Sequence, residues 1–235
     1  LAGACVYAAG EFTFIGTYWR AGLARLELNT GLLFNLTFPY FDFNFLVNGP
    51  VYSIVLVRSL VGDTLHIAGD FTTVNSAVRK SYAAIKVAGQ VLLPNALSFD
   101  NPIYTLKKAD NFIYAGGTFS YIALQPRSGL CSFTSDSAKL STWAPAVVGT
   151  VKTICILDST LYLGGTISSV NTIVRKNLAA VNRITGTVNS WDPHAGNPVH
   201  TISVDTSVVI AGGEFISVGG ESHSNLFEMD LLNGR

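Results

Sequence analysis

The sequence predicts an all-β fold built from repeated four-stranded antiparallel units, on three observations: one phrase recurs five times, the recurrence is periodic, and no stretch carries a helical period. The phrase reads VYAAGEFTFIG from Val6, LHIAGDFTTVN from Leu65, IYAGGTFSYIA from Ile113, LYLGGTISSVN from Leu161 and VIAGGEFISVG from Val209. Its marker glycines are Gly10, Gly69, Gly117, Gly165 and Gly213; the last four are evenly spaced, and the first interval is longer. Repeats of about 40 to 50 residues belong to propellers and solenoids. Gly-Gly pairs interrupt the best apolar runs, which argues against helical versions of either.

The copy from Val151 shows the unit most clearly. VKTICIL, LYLGGTISSV, NLAAVNR and GTVNSWDP are short runs rich in β-branched and aromatic residues, separated by Gly, Asp, Asn, Ser and Thr. They predict strands a, b, c and d of a meander. Because the strands are apolar on both sides, each sheet must be covered on both faces, as the radial packing of propeller blades provides. The expected fold is therefore a β-propeller of four-stranded antiparallel blades spanning residues 1–235 as one domain or propeller segment. By this alignment the chain starts on strand b of the first blade and stops on strand c of the fifth, so both blades are expected to be incomplete and the chain to be part of a longer one.

The slots align throughout. Strand a opens at Val51, Ile103, Val151 and Val199, with a hydroxyl two positions on at Ser53, Thr105, Thr153 and Thr201. Strand c carries Leu23, Tyr82, Leu130, Leu178 and Leu226 in register, and the slot after the strand b glycine holds Phe12, Phe71, Phe119, Ile167 and Phe215. Both sets read as core.

The stretch GGTISSVNTIVRKNLAAVNRITGTVNSWDP, with its Gly-Gly, arginine, Leu-Ala, Thr-Gly and Trp-x-Pro elements, resembles the delta-60-repeat propellers of bacterial and fungal surface proteins and, more distantly, the kelch type. Ile167 departs from the aromatic of the motif, and the Trp-x-Pro of Trp143 and Trp191 is absent from copy two, where Asn95 aligns. The resemblance implies a propeller and a secreted or surface-anchored interaction module. It supplies no catalytic residue.

Composition narrows the function classes. Lys plus Arg equals Asp plus Glu at 15 each, so no overall field draws nucleic acid or an anionic membrane. Charged residues are only 13% of the chain, about half the usual share, which suits a protein docked in a larger assembly or placed outside the cell. Cys5, Cys131 and Cys155 have no metal-ligand spacing and read as core. No apolar run reaches the roughly 18 residues of a membrane helix. His66, His194, His200 and His223 share no zinc spacing, and no Gly-x-Ser-x-Gly elbow occurs. No metal, no cofactor and no enzymatic activity are expected.

Two polar patterns repeat. The residue after the glycine is matched nine positions on by a base: Glu11 with Arg20, Asp70 with Arg79, Thr118 with Arg127, Thr166 with Arg175, and Glu214 with His223. The expectation is a structural clamp closing each strand b to strand c loop, since pairing a half-buried arginine costs less than leaving it unpaired. The second pattern is the variable second residue of strand a: Tyr52, Tyr104, Lys152 and His200. In a propeller this slot lies beside the channel entrance, where copies that differ can specialise for a ligand.

Copy one is longer than the others, chiefly through FPYFDFNFLVNGP, residues 38–50. Phe38, Tyr40, Phe41, Phe43 and Phe45 are aromatics in or beside a connection between strands. Either they fold back on their own blade, or they dock a protein partner or neighbouring domain, as aromatics at interface cores do. Asn35 opens an Asn-Leu-Thr sequon, a glycosylation site if the chain takes a eukaryotic secretory route. The function expected is an extracellular or cell-surface interaction module without enzymatic activity. The alternatives are a carbohydrate-binding propeller and, further off, a hydrolase or lyase with its site over the channel.

Overall fold

A computed structural model describes residues 5–28, 31, 45–94 and 97–231. The chain is all-β, a series of small antiparallel sheets with, among the described residues, one short 3-10 turn at Ala88–Gln90. It divides into two compact units, Leu1–Ser98 with the first two repeats and Phe99–Arg235 with the other three.

Each repeat places its strands where the periodic slots put them. Strand b is Cys5–Ala9, Thr64–Gly69, Phe112–Gly117, Thr160–Val170 and Val208–Gly213 in turn. Strand c follows as Leu23–Glu27, Tyr82–Lys86, Leu130–Thr134, Leu178–Asn182 and Leu226–Asp230. Strand a is Val51–Val57, Ile103–Ala109, Val147–Leu157 and Val199–Val204 in repeats two to five. Strand b is central, paired with a on one side and c on the other.

The fourth strand departs from expectation. It survives as Val91–Leu92 in repeat two, and as single bridges Phe133 to Leu140 and Val181 to Val188 in repeats three and four. Proline has no N–H for a ladder, and the Trp-x-Pro segments at Trp143 and Trp191 turn away from the sheet after that one contact. A small hairpin appears instead inside the strand b to strand c loop, as in Thr73–Val74 with Ala77–Val78 and Tyr121–Ile122 with Gln125–Pro126. Both residues of its turn have positive φ, at Asn75 and Ser76, Ala123 and Leu124, Asn171 and Thr172, and Gly219 and Gly220. That geometry is the two-residue turn whose twist matches a right-handed hairpin.

The core follows the repeat. Leu23, Tyr82, Leu130 and Leu178 are fully buried, whereas Leu226 stays exposed. Leu23 packs in one cluster with Val51, Leu130 in another with Val151, and Leu178 in a third with Val199. Each of these strand c residues thus lies under the start of the next repeat's strand a. Phe71, Phe119, Ile167 and Phe215 are buried, and Phe12 is half-buried. In the second unit the strands a of repeats three, four and five run side by side.

Tryptophans tie successive repeats together. Trp143 stands edge-on to Tyr114 of its own repeat, centroids 5.2 Å apart, and donates to the Asn182 carbonyl of the next at 3.3 Å. Trp191 does the same one period later, with Tyr162 at 5.2 Å and the Asp230 carbonyl at 3.4 Å.

Candidate functional site

The variable slot of strand a is a β-bulge. In four repeats the ladder runs Val51 to Gly69 and Ser53 to Ala68, Ile103 to Gly117 and Thr105 to Gly116, Val151 to Gly165 and Thr153 to Gly164, and Val199 to Gly213 and Thr201 to Gly212. The residue skipped each time is Tyr52, Tyr104, Lys152 or His200. A bulge leaves one residue unpaired in the ladder and re-aims its side chain.

The marker glycine makes the bulge possible. A Cβ on Gly165 would run into the Thr150 carbonyl oxygen, and one on Gly117 into that of Pro102. Only a residue without a side chain lets strand a approach so closely. The preceding glycine serves another purpose: a Cβ on Gly164 would meet Val199 and Ile202 of the next repeat at 2.8 and 2.9 Å.

The residue after the marker glycine lies beside the bulge. Its N–H donates to the carbonyl just before strand a: Asp70 to Pro50 at 3.0 Å, Thr118 to Pro102 at 3.1 Å, and Glu214 to Pro198 at 2.9 Å. The acids expected to clamp arginines therefore flank the variable slot. At the fourth and fifth repeats the side chains meet: Lys152 Nζ lies 3.1 Å from His200 Nδ1, and His200 Nε2 lies 2.8 Å from Glu214 Oε1. An ammonium only donates, so Nδ1 accepts and the proton on Nε2 is donated to the carboxylate. The imidazole is held at both nitrogens.

The loop clamps exist with other partners. Arg79 Nη2 donates to the Leu93 carbonyl at 3.0 Å, Arg127 Nη2 to that of Ser141 at 3.0 Å, and Arg175 Nη2 to that of Asn189 at 2.6 Å. In each, Nη1 donates to the preceding residue's carbonyl, at Val78, Pro126 and Val174. Arg20 does the same with Trp19 at 2.7 Å. Arg175 also bridges to Asp192 at 3.3 Å. The expected pairings of Arg79 with Asp70, Arg127 with Thr118 and Arg175 with Thr166 are thus corrected: each guanidinium reaches outward to the chain after strand c, while Asp70 and Thr118 bond through their N–H groups to the start of strand a. His223 likewise lies 3.7 Å from Glu221 and packs tilted against the Phe227 ring, while Glu214 pairs with His200.

Backbone donors of the loop hairpin have side-chain acceptors that the sequence pattern did not flag. Asn48 Oδ1 accepts from the N–H groups of Thr72 and Thr73 at 2.8 Å each, and Asp100 Oδ1 from those of Ser120 and Tyr121 at 2.9 and 3.0 Å. The only signal is an Asn or Asp three positions before strand a, and Val148 and Gly196 break it in the last two copies.

Among the aromatics of the insertion, Phe45 is a correction. It is 2% exposed and packs with Val47 and Val74, so the core takes it, not a partner. Phe38, Tyr40, Phe41, Phe43 and the Asn35 sequon lie outside the described residues. Among the described residues no group of three His, Cys, Asp or Glu is placed to hold a metal ion, and no helix is long and apolar enough to cross a membrane.

No family model matches the sequence, and no curated protein matches it. Among solved structures the chain is similar to the computationally designed Ika8 protein, with a TM-score of 0.55 at 10% identity over 91% of this chain. It spans 66% of that protein's length. A weaker likeness, to the computationally designed Ika4 protein, has a TM-score of 0.45 at 11% identity over 78% of this chain and 92% of that one, and nothing rests on it. The likeness to Ika8 concerns the fold alone, an all-β chain of repeated small antiparallel sheets.

Proposed function

We propose that the chain is a segment of a β-propeller that works as a non-enzymatic binding module, on the cell surface or outside the cell, and recognises its partner through the bulge residues of strand a. One observation carries this reading. The glycines, the arginine latches and the buried slots repeat, while the side chains that the bulges of the second unit re-aim differ, Tyr104, Lys152 and His200, and the first unit's bulge carries a second tyrosine, Tyr52. A constant frame presenting a varied row is what recognition needs, and specificity resides in such sites, not in the fold.

The row in the second unit mixes an aromatic, a cation and a carboxylate-held imidazole. Such a surface suits a protein partner, with Tyr104 as an anchor and the charges setting orientation. The chain's low charge accords with life inside a larger assembly, and its sequence resembles surface propellers of the delta-60 kind.

Site-specific photo-cross-linking tests the reading. A benzoylphenylalanine replacing Tyr104 or His200 should capture one discrete protein species from extracts of the source organism. The same probe at Leu124, 94% exposed on a loop turn, should not. Equal capture at all three positions, or none at the bulges, would count against the proposal.

A further inference from the structure

The third and fourth repeats line an open pocket of about 390 Å³, away from the bulge row, whose residues include Asp110, Phe112, Tyr114, Ser141, Trp143 and Arg183. Its floor is the repeated Tyr-Trp corner: Tyr114 and Trp143 are edge-on at 5.2 Å, and the Tyr114 hydroxyl donates to the Arg183 carbonyl at 3.0 Å.

The next corner shows what is special here. Tyr162 and Trp191 keep the same geometry at 5.2 Å, yet Trp191 is 4% exposed and sealed into the core. Trp143 remains half-buried; with Phe112 it packs against the core, and it lines a pocket that also carries Asp110, Ser141, Thr142 and Arg183. One period after Arg183 the chain has Leu231, so the pairing of Arg183 Nη1 with Asp110 Oδ2 at 2.7 Å has no counterpart there. Repeats that share a scaffold and differ in one pocket mark where a separate task has been added.

The lining selects the ligand chemistry. Asp110 and Arg183 neutralise each other, so the cavity carries no net charge to attract an ion. Asp110 nevertheless keeps 69% of its side chain exposed, which leaves carboxylate lone pairs turned to solvent. Ser141 and Ser132 share a hydrogen bond at 2.6 Å, and their hydroxyls have further capacity to donate or accept. An aromatic surface beside a ring of hydroxyl and carboxylate groups matches a ligand that is apolar on one face and rich in hydroxyls around its edge. A pyranose ring has that form, and the volume lies in the range of small-molecule sites.

We infer that this cavity is a binding site for a neutral saccharide, which lies against Trp143 and bonds vicinal hydroxyls to Asp110. The site is independent of the bulge row and stands or falls separately from it.

The test titrates the full chain with glucose, galactose, mannose and N-acetylglucosamine, followed by tryptophan fluorescence and calorimetry, and probes an array of neutral and anionic glycans. At least one neutral sugar should bind saturably. Asp110→Ala and Trp143→Phe should each weaken it tenfold or more with melting retained, while Lys152→Ala and His200→Ala bind it as the parent does. If Trp143→Phe fails to fold, the solvent-facing Asp110→Ala alone decides. The inference is overturned if no neutral glycan binds, if only sialylated or sulfated glycans bind, or if both cavity variants bind unchanged.

Discussion

Arg175 Nη2 donates to the carbonyl of Asn189 at 2.6 Å, fourteen residues downstream, and the same separation recurs from Arg79 to Leu93 and from Arg127 to Ser141. With Nη1 on the preceding carbonyl, each guanidinium latches the loop hairpin to the chain leaving strand c. Arg175 is nearly buried, its side chain 10% exposed, and adds an ion pair with Asp192. Arg175→Ala should lower unfolding free energy by about 1–3 kcal/mol, the scale of hydrogen bonds to a charged group. Arg175→Lys should recover only part of this, because an ammonium lacks the fork that reaches two carbonyls at once. Urea unfolding measures both, and an unchanged midpoint for Arg175→Ala would remove the latch from the account.

The bulge makes a sharper demand on glycine. Gly165→Ala drives a methyl against the Thr150 carbonyl oxygen, a backbone atom held in the ladder, whereas Gly164→Ala meets side-chain tips at Val199, Ile202 and Thr153. Overpacking typically costs about 1–3 kcal/mol. Gly165→Ala belongs at the upper end of that range or beyond it, and Gly164→Ala lower, because side chains can yield where backbone cannot. Chemical denaturation of the two variants gives the order directly, and the reverse order would show that the bulge does not depend on that contact.

Strands a, b and c were legible because their apolar slots recur once per period and each is filled from one repeat and covered by the next. Glycine inside a strand signals a bulge or a close approach of backbone, and the repeated glycines were legible in that sense. That the bulge skips the variable slot of Tyr104 and His200 was not, because a register shift is a relation between two strands and leaves no mark on strand a alone. The arginine partners were misread for a related reason. Glu11 and Asp70 are conspicuous acids at constant spacing, while the acceptors at Leu93, Ser141 and Asn189 are backbone carbonyls, which any residue supplies. The outer strand was overestimated, since GTVNSWDP has strand-like residues yet keeps only the Val188 contact before its Trp-Asp-Pro turn.

Alkaline pH should expose the buried thiol. Burial holds the Cys131 thiol far above its ordinary value near 9.0. Below that value the folded and unfolded chains both keep the proton, and stability is full. Above it the unfolded chain ionises first, so stability falls as pH rises, by up to about 1.4 kcal/mol per pH unit from this group. Burial also pushes Tyr7 up to about 12 and raises Tyr162, which extends the loss above pH 10. Urea midpoints between pH 7 and 11 should decline from about pH 9, less steeply in Cys131→Ala. In the native state a thiol reagent should label Cys131 more slowly than Cys5 and Cys155, which are half-buried. Equal labelling rates for all three would contradict the buried assignment.

The division between a constant frame and a varied binding row is tested most directly by one variant, Tyr104→Ala with Lys152→Ala and His200→Ala, whose melting and binding are measured side by side against the species captured by cross-linking. These side chains leave the ladder at bulges, and His200 is bound to Lys152 and Glu214 at the surface, its side chain 41% exposed. Surface changes of this kind usually alter stability within about 0.5 kcal/mol each. The account predicts a melting temperature within a few degrees of the parent, roughly the shift such energies produce, and loss of partner binding by a hundredfold or more. A variant that binds as the parent does, or that unfolds, would contradict it.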